Sequence, residues 1–301
     1  MVISRMDLAD AGSPEKLVTL ILKNEPDLPI PVPIEDLCRQ LDISDFHPLE
    51  TDGFEGGLLT DADRSMGIIL VKEGGFPQRR RFTIAHELGH FLIPTHMPDS
   101  PGRFLCSRAD MQMLSAKEND RRARMEAEAN RFASLILMPP PALRTALKPL
   151  RDPDLQHIPK LARDFQVSKE AMARAYANFH DEPIAIIVVQ NGKILRSYRN
   201  STRFPFIQPS SGSPVPTGSL FHKGRHERSI ASGMAECLPD LWIEIRRGEP
   251  APTLFEQVYP QQDGFALILL HLVKRDEDEE AEEQNLERSW HVGFHSKNKR
   301  R

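Results

Sequence analysis

Cysteine is scarce: Cys38, Cys106 and Cys237 are the only three in 301 residues, odd in number and far apart. That arithmetic argues against a disulfide framework, and reduced thiols in a cytoplasmic protein are expected instead. Apolar runs near the roughly 20 residues needed to span a bilayer are also missing. The opening stretch MVISRMDLADAGSPEKL carries acidic residues where a signal peptide would need an apolar core. Neither sign of charge dominates, since the net charge is −4, so a coat of nucleic acid is not indicated. What remains is a globular balance, 40% hydrophobic and 27% charged, long enough for two modest domains.

The order of patterns along the chain predicts an α+β architecture. Ser13-Pro14-Glu15 opens an amphipathic helix with Leu17, Leu20 and Ile21 on one side, and the prolines that follow end it. A second short helix starts at Pro33. Residues 53–59 and 66–71 read as strands about a turn-rich Asp61-Ala62-Asp63-Arg64. Long helices are expected over 77–92, halted by Pro94, and over 118–138, halted by Pro139-Pro140-Pro141. Two short helices joined by a tight turn follow within 158–179, with Ser168 as the cap of the second. Asn191-Gly192 marks a hairpin between strands at 183–190 and 193–199. Further strands are expected at 242–246 and 264–273, then an acidic run and a basic tail. The division this suggests is a catalytic domain over 1–145, a helical support over 146–181, an α/β regulatory or docking domain over 182–275, and a charged, disordered tail over 276–301.

The chemistry concentrates at His86-Glu87-Leu88-Gly89-His90. Residues four apart share a helix face, so His86 and His90 can present two imidazoles to one metal ion. Glu87 is turned about 100° from His86, away from the ligand pair but beside a water that the ion would activate. Two neutral imidazoles and one carboxylate make a catalytic zinc set with a position left open. Five residues of this kind also arise by chance on ordinary helices. Here Phe82, Ile84, Leu88, Phe91 and Leu92 mark the helix as buried. Gly89, which costs about 1 kcal/mol in a helix interior, points to close packing or metal access.

The third ligand is less determined. On the second long helix Met125, Ala129, Phe132 and Ile136 form a core stripe, with Glu126 and Glu128 flanking it on opposite sides. Periodicity does not choose between the two glutamates. Asn130 lies one turn beyond Glu126 and can support a ligand by hydrogen bonding. His96, six residues after His90, is another contender, although Ile93-Pro94 stands where a turn-making glycine would be needed.

Residues 81–92 (RFTIAHELGHFL), followed by Glu126-Ala127-Glu128-Ala129-Asn130-Arg131-Phe132-Ala133 and Leu137-Met138-Pro139, closely resemble the ImmA/IrrE family of metallopeptidases. The likeness covers roughly residues 15 to 140 and weakens towards 180. It implies a zincin-like fold, a single zinc ion held by His86, His90 and Glu126, and Glu87 as catalytic base, with Glu128 and His96 as alternative ligands. It implies a protein substrate as well: family members inactivate helix-turn-helix transcriptional repressors of the XRE type by cutting them, which switches on a stress response. In radiation-response relatives a GAF-like domain stands where this chain has its C-terminal region. A regulator that binds a repressor or DNA without cutting is the alternative, and the intact Glu87 speaks against it.

The remaining motifs carry duller readings. The second helix of the 158–179 pair is helix-turn-helix-like but offers only Lys169 and Arg174 as cations, which is poor for phosphate contacts. A helical support is therefore expected there, with no direct nucleic-acid binding and no membrane association. His222 and His226 are four apart, but the glycine between them does not favour a helix, so both are expected at the surface. Trp242 and Trp290 are expected to pack rather than to stack on a ligand.

Overall fold

A computed structural model describes residues 1–98, 102–113, 120–223, 226–245 and 251–273. The expected tail over 276–301, with Trp290, lies outside the described residues. The molecule divides into two compact units, residues 1–149 with 158–175, and residues 150–157 with 176 onward. It is mixed α+β, with one sheet in each unit. No helix among the described residues is long and apolar enough to cross a membrane.

The first unit begins with α1 (Pro14–Asn24) and α2 (Ile34–Gln40). Ser13 caps α1 by accepting a hydrogen bond from the Lys16 backbone N–H, and proline occupies the first helical position, where its missing N–H costs nothing. Strands β1 (Ile43–Pro48), β2 (Phe54–Thr60), β3 (Gly67–Val71) and β4 (Arg103–Ser107) form a sheet in the order β1-β3-β2-β4. β1 and β3 run parallel, and the other pairs are antiparallel.

Two long helices follow, the first packed on β2 and β3 and the second on the first and on α1. α3 (Pro77–Leu92) starts on a proline and ends at Ile93, which takes extended backbone angles because Pro94 follows it. α4 (Arg121–Leu137) is capped by Asp120, whose carboxylate accepts from the Ala123 N–H at 2.9 Å. Its expected stripe is buried: Ala129, Phe132 and Ile136 are fully enclosed and Met125 nearly so. The chain was expected to stop being helical at Pro139-Pro140-Pro141. It restarts at once as α5 (Pro140–Leu147), because prolines are tolerated in a first helical turn.

α6 (His157–Asp164) and α7 (Lys169–Phe179) are joined through Gln166, which has a positive φ of 50°. Ser168 accepts from the Ala171 N–H at 3.1 Å, the cap expected for the second helix. Within the first unit Arg174 on α7 donates to Ser134 on α4 at 2.9 Å.

The second unit is built on the antiparallel sheet β6-β5-β9-β8-β7. Its strands are β5 (Ile184–Gln190), β6 (Lys193–Arg199), β7 (Ala235–Cys237), β8 (Thr253–Pro260) and β9 (Phe265–Val273). Asn191 and Gly192 both take positive φ and close the β5–β6 hairpin. Two expectations are corrected here. Among the described residues 182–273 there is no α-helix, so the region is a sheet with 3-10 turns rather than α/β. The strand expected at 242–246 is absent from its described part. Trp242 instead ends a 3-10 turn and sits at the centre of the apolar core with Phe204, Ile187 and Ile268. His222 is exposed and His226 half-buried, each bonded to a backbone carbonyl through its Nε2.

Phe132 is enclosed against α3, where it would meet a β-carbon placed at Gly89 at 3.2 Å. Phe132→Ala is expected to destabilise the first unit by roughly 3–5 kcal/mol, read by urea unfolding.

Candidate metal centre

The site is assembled where α3 and α4 cross. Gly89 faces Ala129, and a β-carbon at Gly89 would lie 3.3 Å from the Ala129 Cα and 3.4 Å from its carbonyl oxygen. A side chain there would crowd the facing helix backbone. The glycine therefore sets the separation that brings Glu126 and Asn130 of α4 onto His86 and His90 of α3.

At this crossing the His86 and His90 Nε2 atoms lie 3.1 Å apart. Glu126 Oε2 stands 3.2 Å from the first and 3.4 Å from the second. All three side chains are buried. What these atoms offer one another depends on the ring tautomers, and the surrounding hydrogen bonds fix them.

Asn130 Nδ2 donates to the backbone carbonyls of Asp110 and Met113 at 2.7 and 2.9 Å, which leaves its Oδ1 pointing to His86 Nδ1 at 2.9 Å. His86 therefore carries its proton on Nδ1. On the other side Glu128 can only accept, so His96 donates from Nε2 to Glu128 Oε2 at 3.0 Å. His96 Nδ1 is then a bare lone pair, and His90 Nδ1 donates to it at 3.0 Å. When neutral, both histidines on α3 thus turn an unprotonated Nε2 inward.

Two nitrogen lone pairs and one carboxylate oxygen face a common point, and Glu126 Oε2 is buried with no hydrogen-bond partner among the described residues. Such an arrangement is repulsive unless a positive charge sits among the three atoms. Bonds of about 2.0–2.1 Å at tetrahedral angles separate ligand atoms by about 3.3 Å, close to the spacing seen here. The residues fit a metal ion.

The electrostatics show the same demand for positive charge, which a proton on His86 meets when no ion is bound. Burial opposes the charged form of His86, but the carboxylates of Glu126 and Glu87 outweigh it and raise its pKa. Burial likewise opposes ionisation of Glu126, yet His86 and His90 hold it well below the usual carboxylate range. Burial pushes His90 down to about 4 and His96 down to about 3. Both therefore remain neutral, as a ligand and its supporting ring must.

Of the sequence candidates, His86, His90 and Glu126 converge. Glu128 and His96, weighed as alternative third ligands, are placed one layer out: His96 touches His90 through its Nδ1 rather than the cluster, and Glu128 touches His96. Glu128 is half-buried, unlike Glu126, because its side of α4 turns away from α3.

Glu87 is fully buried beside the cluster, both carboxylate oxygens lacking a hydrogen-bond partner among the described residues. Burial raises its pKa to about 7, with His86 opposing. Gly56 on β2 makes room for it. A β-carbon there would fall 2.7 Å from Glu87 Oε1 and 2.4 Å from the Thr83 Cγ2.

Sequence reading missed Gly56, and it missed Cys106, which β4 carries to within 4.8 Å of the donor atoms of His86, His90 and Glu126. Nothing in the spacing of a single cysteine far along the chain marks it. A cleft lined by Met97, Phe104, Leu105, Arg122 and Met125 opens onto Cys106 and Glu126.

Residues 47–176 match the peptidase family M78 in the form described as the IrrE N-terminal-like domain. The chain is 29% identical over 210 residues to the radiation response metalloprotease IrrE of Deinococcus radiodurans. That alignment covers 62% of this chain and 58% of the relative, so the chain spans less than two thirds of that protein's length. A Mycobacterium tuberculosis transcriptional regulator of solved structure shares the fold at a TM-score of 0.51 and 17% identity, over 84% of this chain and 74% of the other.

Two measurements probe the site. Asn130→Ala and His96→Ala each remove the group that fixes one ring, and each is expected to weaken divalent-metal affinity about 10–100-fold in a chelator competition. The second concerns Glu87, whose pKa rises on folding from 4.5 to about 7. A raised acid pKa contributes stability that is complete below the unfolded value and lost as pH climbs through the folded one. Metal-free Glu87→Gln is therefore expected to be more stable than the parent at about pH 8, by up to about 3 kcal/mol, and no more stable near about pH 4, in paired urea titrations.

Proposed function

We propose that the chain, whose residues 47–176 match the IrrE N-terminal-like domain, is a zinc-dependent endopeptidase of zincin-like architecture in the ImmA/IrrE family. Its substrate is a partner protein, a helix-turn-helix transcriptional repressor of the XRE type, and the cut derepresses a stress response in the cytoplasm. The observation that carries the reading is the convergence of His86, His90 and Glu126 with a buried Glu87 beside them.

A set of two imidazoles and one carboxylate suits zinc at one ion per chain and leaves a fourth position for chemistry. When bound, the ion supplies Lewis acidity towards water and the scissile carbonyl. The rest falls to this chain's own groups. Glu87, with a pKa near 7, can take a proton from the attacking water and return it to the departing amine, since both transfers occur close to its own pKa. Asn130 and the Glu128–His96 pair keep His86 and His90 from turning, so the Nε2 lone pairs stay aimed inward. Burial removes competing water and strengthens each of these contacts.

The repressor as substrate rests on the family resemblance and is supported by the radiation-response role in the name of the Deinococcus relative. The region beyond 182 is assigned to docking or regulation, and the 158–179 helices to support of the peptidase part rather than to reading DNA.

The test mixes the zinc-loaded protein with the helix-turn-helix repressors encoded nearest to it and follows cleavage on a gel. A discrete cut is expected. Glu87→Gln is expected to slow it by about 10²–10⁴-fold while metal stays bound. Repressors left whole by a protein that holds one zinc would remove the assigned partner, and a protein that holds no metal would remove the peptidase reading itself.

A further inference from the structure

The three-donor set does not exhaust the groups at the crossing. Cys106 lies on β4 opposite Gly56 in the β2–β4 ladder. Gly56 lacks the side chain that would fill the space over Glu87, and the Cys106 thiol enters this region from the neighbouring strand. The thiol is buried, and its sulfur is within 4.8 Å of all three converging donor atoms. It lies against the Glu87 carboxylate without completing a full hydrogen bond, since both oxygens remain without a partner among the described residues.

A buried thiol is inert in most settings. Here its sulfur belongs to the same cluster of donor atoms as the buried, unpartnered Oε2 of Glu126, with the unpartnered Glu87 carboxylate alongside. The unpartnered Glu126 oxygen between the two imidazoles marks the place of a cation, and the sulfur lies within reach of it.

We propose that Cys106 is the fourth donor of this metal centre, so that the resting protein holds its zinc in a closed set of His86, His90, Glu126 and Cys106. The proposal rests on the metallopeptidase reading and adds a level of control to it. Sites with four protein donors are closed, whereas catalytic ones keep a position for water. The resting centre is therefore latent until the sulfur is displaced.

Closing the centre needs no oxidant. The Cys106 S–H bond breaks, its proton passes to the adjacent Glu87 carboxylate, and a sulfur–metal bond forms with no change of oxidation state.

Cobalt(II) distinguishes the outcomes because sulfur ligation gives a thiolate-to-metal charge-transfer absorption in the near ultraviolet. The full chain loaded with cobalt(II) is expected to show that absorption and the intense visible bands of a four-coordinate ion. Cys106→Ser and Cys106→Ala, checked for folding by circular dichroism, are expected to lose the ultraviolet absorption while still binding cobalt. Cys38→Ser and Cys237→Ser are expected to keep it. In a chelator competition the Cys106 variants should hold metal more weakly by at least the ~10–100-fold typical of losing an outer partner. Cobalt bound by the parent chain without the sulfur absorption, or an absorption that survives in Cys106→Ser, overturns the proposal and leaves the peptidase reading standing. Failure of both parent and variants to bind cobalt removes the two together.

Discussion

The close crossing of α3 and α4 at Gly89 and Ala129 is the constraint on which the site depends. With the Gly89 β-carbon position only 3.3 Å from the Ala129 backbone, the two helices approach further than side chains of ordinary size allow. That separation lets a glutamate on one helix reach two histidines on the other. A helix interior normally disfavours glycine by about 1 kcal/mol. The apolar stripe of Ala129, Phe132 and Ile136, packed behind the crossing, offsets this by burial. Core packing and metal chemistry are thus one arrangement rather than two.

Around that crossing, orientation is imposed by hydrogen bonds that run in one direction. Asn130 is anchored by two backbone carbonyls and sets the tautomer of His86. Glu128, able only to accept, sets His96, and His96 sets His90. Each chain ends in an unprotonated Nε2 facing Glu126. Of the residues weighed as third ligands, Glu126 lies against both rings, whereas His96 and Glu128 lie behind one of them. A glutamate pair two positions apart on one helix can serve both layers because successive residues turn by about 100°.

The sheet contributes from the opposite side. Gly56 on β2 and Cys106 on β4 are register partners, one giving up its side chain above Glu87 and the other filling the space beside the donors. Buried without a partner, Glu87 is held at a pKa of about 7, far from its value in water. Such a shift costs folding stability at neutral pH, and that kind of strain is commonly found where a group must both take and release a proton.

Much of this was legible in the chain alone, and the physical reason is locality. The α3 span, the Ser168 cap, the Asn191-Gly192 hairpin and the His86/His90 pair all follow from relations within a few residues, where backbone geometry is set by near neighbours. Strands with polar interiors were hidden. β8 carries Glu256 and Gln257, which read as solvated until their partners are known; Ser219 and the Leu220 N–H meet the first, and the Leu155 N–H donates to the second at 2.8 Å. β1 is masked in the same way by Ser44, Asp45 and Pro48. The choice between Glu126 and Glu128 required knowing which side of α4 faces α3. The presence of Cys106 and Gly56 at the centre required a sheet register joining strands some fifty residues apart. Local periodicity determined which elements form and which residues share a face. Only tertiary packing decided which faces meet, because the contacts that set a site of this kind are long-range and leave no spacing in the sequence to read.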